Sequence, residues 1–291
     1  MGRLRTAEWN SIIAGNRGKD LIRSTGPRRS AFWRCGETVL RHSAMDLSVV
    51  IPVRNEAPNI APLVAEIRAA LDGVIDYEIV YVDDGSSDDT AATIRALART
   101  FPRLRLVRHA RSSGQSAAVR TGVKAARAPW IATLDGDGQN DPADIPRLWQ
   151  MALAAPAVPP LLVAGHRQRR QDSAVKRLSS RIANRVRGRL LRDGTPDTGC
   201  GLKLFRREVF LELPFFDHIH RFLPALVQRQ GGRVVSVAVN HRPRERGQSN
   251  YGTFDRLWVG ITDMLGVMWL QRRAKNPEIL AESAEEARRA G

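Results

Sequence analysis

The sequence predicts an α/β protein: a Rossmann-like, doubly wound and mostly parallel sheet with helices on both faces. Three observations predict it. Apolar runs of strand length alternate with helix-periodic stretches from Leu47 to Asp135, the pattern of strand–crossover–strand units. Strand-like runs end in carboxylates, as in YEIVYVDD and PWIATLDGD. One helical stretch sets Gly114, Ala118, Gly122 and Ala126 on a single face, which lets a helix lie close to a sheet.

The elements follow in order. LSVVIPV, from Leu47, reads as a buried strand. Ile60, Leu63, Val64, Ile67 and Leu71 recur at spacings of three and four and predict a helix over Pro58 to Leu71. Tyr77 to Asp84 is a second strand, Ser87 to Arg99 a helix, Leu104 to Ala110 a third strand, Gly114 to Ala126 a helix and Pro129 to Asp135 a fourth strand. LLVAGHR, ending at Arg167, predicts a further strand. Val175, Leu178, Ile182, Val186 and Leu190 predict a helix over Ser173 to Arg192, and GRVVSVAVNH a late strand. Leu257 to Leu270 is an amphipathic run containing Asp263, with Trp258 and Trp269 near its ends. It falls short of the ~20 residues of a membrane span, so a core helix and an interfacial helix both remain open.

Composition bounds the rest. The 291 residues carry a net charge of +16 with an ordinary 43% hydrophobic content. Such a surface attracts phosphate, nucleic acid or an anionic membrane. The two cysteines, Cys35 and Cys200, have no metal-ligand spacing and fit a reducing cytoplasm. Residues 1–44 hold nine Arg or Lys against three acids and no sustained periodicity; they read as a disordered basic extension with no secretory signal. Met45 directly precedes the first strand and is the expected true start. Residues 45–252 form the expected catalytic domain, and 253–291 an amphipathic, membrane-proximal helix with a charged tail.

LDGDGQN, Leu134 to Asn140, sets Asp135 and Asp137 at a strand end. It is no EF-hand, because position twelve would be Pro146. It is no P-loop, because it has no lysine. A phosphatase of the haloacid dehalogenase type would carry its Asp-x-Asp earlier in the chain. Alone, the motif could be a turn. It is not alone: IPVRNE and VDDGSSDDT bring further carboxylates to neighbouring strand ends. Ligands of open α/β sheets bind at these ends, and the mutual repulsion of the acids is relieved by a divalent cation, Mg²⁺ or Mn²⁺, that also holds a diphosphate.

In this order, IPVRNE, VDDGSSDDT, GQSAAVRTG and LDGDGQNDP resemble the family 2 glycosyltransferases of the GT-A fold. GHRQRRQDS, KRLSSRIANR, DTGCGLKLFRR, HRFLPAL and RERGQSNYG extend the resemblance to dolichol-phosphate mannose synthases and bacterial undecaprenyl-phosphate glycosyltransferases. The resemblance implies an inverting, metal-dependent transfer of a sugar from a nucleotide sugar, expected to be UDP-linked, to a polyprenyl phosphate. It implies that Pro52, Asn55, Glu56, Asp83, Asp84 and Gly114 serve the nucleotide. Asp135, Asp137 and Gln139 match the metal and diphosphate motif, Asp135 and Asp137 with Arg167 forming the catalytic set, and Arg167 meets the phosphates. Arg177 and Arg181 lie near the acceptor-phosphate arginine, without deciding between them. Asp197 is a donor-site candidate, and Arg244, Arg246, Ser249 and Asn250 fall on a mobile loop. That loop reads Ser-Asn-Tyr where the family often has Ser-Lys-Tyr; Arg246 is the candidate substitute cation.

The acceptor sets the chemistry. A hydroxyl needs a base, whereas a phosphate monoester, with its second pKa near ~6, arrives largely as a dianion and needs positive charge. From Gly165 to Arg192 the chain has ten Arg or Lys and one acid, Asp172. Relatives that use hydroxyl acceptors often carry a Glu-Asp pair where this chain has HIHRFLPAL. Asp217 is a fallback base, with a turn or helix-cap role as the alternative. His109, His166, His218 and His220 show no metal spacing and suit packing or surface roles, and Cys200 suits a tight buried turn. The expected protein is peripheral on the inner face of the plasma membrane, docked by its basic surface and the Leu257–Leu270 run, with a separate membrane protein flipping or using the product. Two competing expectations remain: a family 2 enzyme acting on a saccharide or protein hydroxyl, and a basic nucleic-acid-binding protein. The second leaves the acidic strand ends unexplained, and nucleic acid is not an expected partner.

Overall fold

The computed structural model describes residues 45–156, 159–167, 187–243 and 253–277, with side chains of the last helix described from residue 260. The basic extension, Arg177, Arg181, Arg244, Arg246, Ser249, Asn250 and most of the Ser173–Arg192 run lie outside the described residues. Seven strands form one sheet: β1 Leu47–Val53, β2 Tyr77–Asp83, β3 Leu104–Arg108, β4 Trp130–Thr133, β5 Leu161–Arg167, β6 Lys203–Arg206 and β7 Arg233–Val239. Their spatial order is β3-β2-β1-β4-β6-β5-β7. Only β6 is reversed, pairing antiparallel with β4 (Ile131 opposite Phe205) and with β5 (Val163 opposite Leu204). The doubly wound, mostly parallel sheet expected from the sequence is the one observed.

Helices α1 Ala57–Leu71, α2 Thr90–Thr100 and α4 Ile145–Leu153 cover one face. Helices α3 Gln115–Ala125, α5 Arg207–Leu211, α6 Leu223–Arg229 and α7 Thr253–Arg272 cover the other. The apolar stripe expected on α1, Ile60 through Leu71, is buried. A proline in its first turn costs it no hydrogen bond. The small face of α3 has a direct cause: a Cβ on Gly122 would overlap Val50 of β1 and come within 3.0 Å of Val82 of β2. The expected helix ending at Arg192 is seen in its last turn, residues 187–191.

This topology decides where chemistry can gather. Six parallel strands end at one edge of the sheet. The reversed strand β6 begins there, with Lys203 opposite Thr133 of β4. The segment before β6 is thereby laid against the loop after β4. The strand was absent from the sequence reading because it is four residues long and opens on a lysine that is only 3% exposed. The Leu257–Leu270 run lies in α7, which buries one side and leaves other apolar residues exposed. Val267 is fully buried in the core, and Met264, Met268 and Leu270 pack against it. Ile261, Leu265 and Trp269, four residues apart, stay exposed.

Candidate functional site

A cleft of about 580 Å³ opens at the strand ends. One wall comes from the ends of β1 and β4, with Pro52, Glu56, Asp135 and Asp137. The other comes from the end of β5, the start of β6 with the segment before it, and the turn before α6, with Arg167, Lys203, His220 and Arg221.

The loop after β4 is held by its own side chains. Asp135 N donates to Asn140 Oδ1 at 3.0 Å, and Asn140 is 2% exposed. Gln139 N donates to Asp137 Oδ1 at 3.1 Å. Gln115, the first residue of α3, donates to Asp135 Oδ1 at 2.9 Å. Across the cleft, Gly201 is the reason β6 can come so near: a Cβ there would overlap the Asp135 carboxylate and lie 2.7 Å from Asn140 Oδ1. Burial, and then the charge of Asp137, push the Asp135 carboxyl up to about 6, while Lys203 and Arg167 act in the opposite direction.

That like-charge pair fits a hard divalent cation, whose charge would relieve the repulsion. Among the described residues no group of three or more His, Cys, Asp or Glu forms a closed cage. Two carboxylates leave ligand positions for water and a diphosphate, as Mg²⁺ and Mn²⁺ prefer. Gln139 stands outside the cleft lining, and its amide donates to the Arg242 carbonyl at 3.5 Å. Arg242 in turn pairs with Asp141 at 2.6 Å and Glu66 at 2.8 Å, tying the loop after β7 to the loop after β4 and to α1.

Arg167 and Asp197, singled out separately in the sequence, form one unit. Arg167 Nε donates to Asp197 Oδ2 at 2.6 Å and its terminal nitrogen to Oδ1 at 2.8 Å. Such a fork fixes the guanidinium plane. Burial disfavours the charge of Arg167, but Asp197 outweighs it and the pKa rises. Lys203 Nζ donates to the carbonyls of Thr198, at 3.3 Å, and Cys200. Its burial lowers its pKa, opposed by the nearby Cys200 and Asp135.

The expected nucleotide residues divide. Pro52, Glu56 and Asp84 line the cleft; Asn55, Asp83 and Gly114 do not. Asn55, at φ 56°, accepts from Ser87 N at 2.9 Å and braces the loop after β2. Asp83 accepts from Ser86 N at 2.9 Å and pairs with Arg108 at 3.0 Å. Asp84 accepts from His109 Nδ1 (2.7 Å), Ser112 Oγ (2.8 Å), Ser113 N (2.8 Å) and Gly114 N (2.9 Å). It therefore fastens the end of β2 to the start of α3. Asp217 stands beside Gly114, outside the cleft lining. Cys200 is a fully buried free thiol. Arg207 donates to the carbonyls of Val123 and Lys124 at 2.9 and 3.0 Å, capping α3, and Arg206 lies over Trp130.

Sequence reasoning missed Gln115, Asn140, Lys203 and Arg221 as parts of the site. Lys203 carries a usable signal, a charge set between Leu202 and the apolar Leu204 and Phe205. Gln115 and Asn140 sit inside quoted motifs, but nothing in spacing says which amide turns inward.

The model of the family described as Glycosyl transferase family 2 matches residues 48–213. Among curated relatives, the dodecaprenyl-phosphate galacturonate synthase of Rhizobium johnstonii is 35% identical over 241 residues, 80% of this chain and 70% of that protein. The undecaprenyl-phosphate 4-deoxy-4-formamido-L-arabinose transferase of Edwardsiella ictaluri is 37% identical over 208 residues, 71% of this chain. The chain spans 63% of the length of that second relative. Glucosyl-3-phosphoglycerate synthase from Mycobacterium tuberculosis, solved with Mn²⁺, UDP and glucosyl-3-phosphoglycerate, shares the fold with a TM-score of 0.57 at 19% identity, over 81% of this chain and 82% of that one. The same enzyme with Mg²⁺ and UDP gives 0.56. With its GT-A sheet and its strand-end cleft, the chain belongs to glycosyltransferase family 2.

Proposed function

We propose that this glycosyltransferase moves a sugar from a nucleoside diphosphate sugar, UDP-linked in the first instance, to a polyprenyl phosphate, with inversion and with Mg²⁺ or Mn²⁺ bound. The observation that carries the reading is the division of the cleft. Asp135 and Asp137 stand on one wall, with Arg54 and Glu56 at its nucleotide end, and Arg167, Lys203 and Arg221 with a neutral His220 stand on the other.

Asp135 and Asp137 would hold the cation, which supplies positive charge to the leaving diphosphate. Gln115 and Asn140 orient the Asp135 side of that pair. Arg167, held flat by Asp197, offers charge to the diphosphate from the opposite wall. Pro52, Glu56 and Asp84 line the nucleotide end.

The acceptor is favoured as a phosphate because, among the described residues, His220, Asp84 and Asp217 are poor bases, while Asp135 and Asp137 are assigned to the cation and Glu56 to the nucleotide end. Burial, then the charges of Lys203, Arg221 and His218, bring His220 down to about 3, so it takes no proton near neutral pH. Both oxygens of Asp84 are filled by donors. Asp217, the fallback base, is 65% exposed outside the cleft lining. A phosphate dianion needs no such base. The names of the two relatives above, both polyprenyl-phosphate sugar transferases, support the same class of acceptor.

No helix among the described residues is long and apolar enough to cross a membrane. The exposed line Ile261, Leu265 and Trp269 of α7, with the +16 net charge, supports peripheral docking on anionic lipid at the cytoplasmic face. A separate membrane protein then flips or consumes the lipid-linked sugar.

The test is a panel of nucleotide sugars, each incubated with the protein, Mn²⁺ or Mg²⁺, and undecaprenyl phosphate in detergent. Metal-dependent, chloroform-extractable sugar from one donor is the expected result. Nucleotide release that needs a soluble saccharide instead would replace this reading with transfer to a hydroxyl.

A further inference from the structure

Four Arg or Lys line the cleft among the described residues: Arg54, Arg167, Lys203 and Arg221. Their commitments differ. Arg167 is forked onto Asp197, and Lys203 is 3% exposed and bonded to two carbonyls. The Arg54 and Arg221 guanidiniums have no hydrogen-bond or ion-pair partner among the described residues, and both residues are exposed. Arg54 directly follows β1, on the nucleotide side with Pro52 and Glu56. Arg221 is on the other wall.

The turn bearing Arg221 is fixed on every side. Ile219 is 1% and Phe222 4% exposed, so both neighbours in space are sunk in the core. His220 is bonded to Ser116 Oγ of α3 at 2.7 Å. The Arg221 carbonyl accepts from Arg187 at 3.3 Å. His218 Nδ1 donates to Asp263 Oδ2 of α7 at 3.0 Å. The turn therefore joins the cleft to the helix that presents Ile261, Leu265 and Trp269. An amphiphile whose tail follows that apolar line would bring its head group toward the cleft past this turn.

We propose that Arg221 receives the phosphate of the acceptor lipid. It acts as a binding residue that sets the attacking oxygen opposite the donor, on the wall away from Asp135 and Asp137. The inference rests on the phosphate-acceptor reading above. A guanidinium is suited to it, since its fork grips two phosphate oxygens while a third stays free to attack. Transfer then forms a bond from that oxygen to the sugar's anomeric carbon. The bond from that carbon to the diphosphate breaks, and its electron pair leaves on the nucleoside diphosphate. No proton has to be removed from the acceptor.

The experiment compares wild type with Arg221→Ala, Arg221→Lys and, as a contrast, Arg54→Ala. Initial rates are measured over undecaprenyl phosphate and over the donor found in the panel. Binding of farnesyl phosphate, a short soluble phosphate monoester, is measured by calorimetry with UDP and Mn²⁺ present. Arg221→Ala should raise the KM for undecaprenyl phosphate by ten- to a hundredfold, weaken farnesyl phosphate to match, and leave UDP affinity unchanged. Arg221→Lys should recover part of the loss, and Arg54→Ala should leave the acceptor KM alone. An unchanged acceptor KM and farnesyl phosphate affinity in Arg221→Ala, while wild type labels the lipid, overturns this assignment alone. So does an equal loss of UDP affinity, which would mark a general disturbance of the cleft. A wild type that labels no lipid with any donor overturns the acceptor reading and this assignment with it.

Discussion

The two walls of the cleft solve opposite problems by opposite means. The wall made by β1, β2 and β4 gathers acids at the ends of adjacent parallel strands. It spends Asp83 and Asp84 on structure, where local donors fill them, and sets Asp135 and Asp137 side by side in the cleft, where burial and the charge of Asp137 raise the Asp135 carboxyl. The wall made by the end of β5, the reversed strand β6 and the turn before α6 gathers cations that differ in how they are held. Arg167 has Asp197, Lys203 has carbonyls, and the Arg221 guanidinium has no partner among the described residues. The lesson is that an anion can be met at a strand end in two ways. On the proposed reading it meets a cation held by carboxylates on one side and the Arg221 guanidinium on the other, and the two are separable by mutation.

The largest expected effect is on the acid wall. Asp137→Asn should cut Mn²⁺-dependent donor binding by more than a hundredfold, with the fold kept, because the amide removes the charge that holds the cation. Calorimetry with UDP, with and without Mn²⁺, checks it; an unchanged Mn²⁺ dependence would contradict the role. Next is the fork on the basic wall. Asp197→Asn should lower kcat by roughly ten- to a hundredfold, as expected for a lost charge-stabilising contact. It should add little on top of Arg167→Ala, since the two act as a unit. A fully additive double mutant would separate them.

A smaller effect tests the closeness of the walls. Gly201→Ala should reduce turnover about tenfold by pushing Asp135 out of place, with a modest change in thermal stability, read from matched kinetics and melting curves. The smallest effect concerns acid stability. Burial alone would raise the Asp84 carboxyl, but His109, Ser112 and the Ser113 and Gly114 amides hold it below its usual range. Its folded pKa is depressed, so its contribution is present above the unfolded value of ~3.9 and is lost as pH falls through the folded one. Asp84→Asn should therefore flatten the loss of stability below about pH 4, measured by denaturant unfolding at several pH values.

The acid wall was the legible one. β1 through β4 announce themselves by apolar runs and helical stripes, and the three acid-tipped ends follow from parallel alternation. The basic wall was not legible in the same way. β6 is too short and too polar at its first residue to register as a strand. Without it nothing places Gly201 against Asp135, or Lys203 at the cleft floor. The Arg167–Asp197 fork links positions thirty residues apart that only the β5–β6 pairing brings together. His220 read as a packing residue, and it does pack, on Ser116; that anchorage is also what holds Arg221 at the cleft. Asn55, Asp83, Gly114 and Gln139 sit in the quoted motifs, yet they shape the loops rather than line the cleft. Motif membership cannot distinguish the two roles, because a loop that holds a ligand needs both.

The most direct measurement offers the enzyme two acceptors with the same tail: undecaprenyl phosphate and undecaprenol, each with the active nucleotide sugar and Mn²⁺. Sugar transferred to the phosphate and none to the alcohol is the predicted result, since on the proposed reading the cleft receives the acceptor with cations and a phosphate dianion needs no base. Transfer to undecaprenol at a comparable rate would contradict the account, and would require a base that activates a hydroxyl.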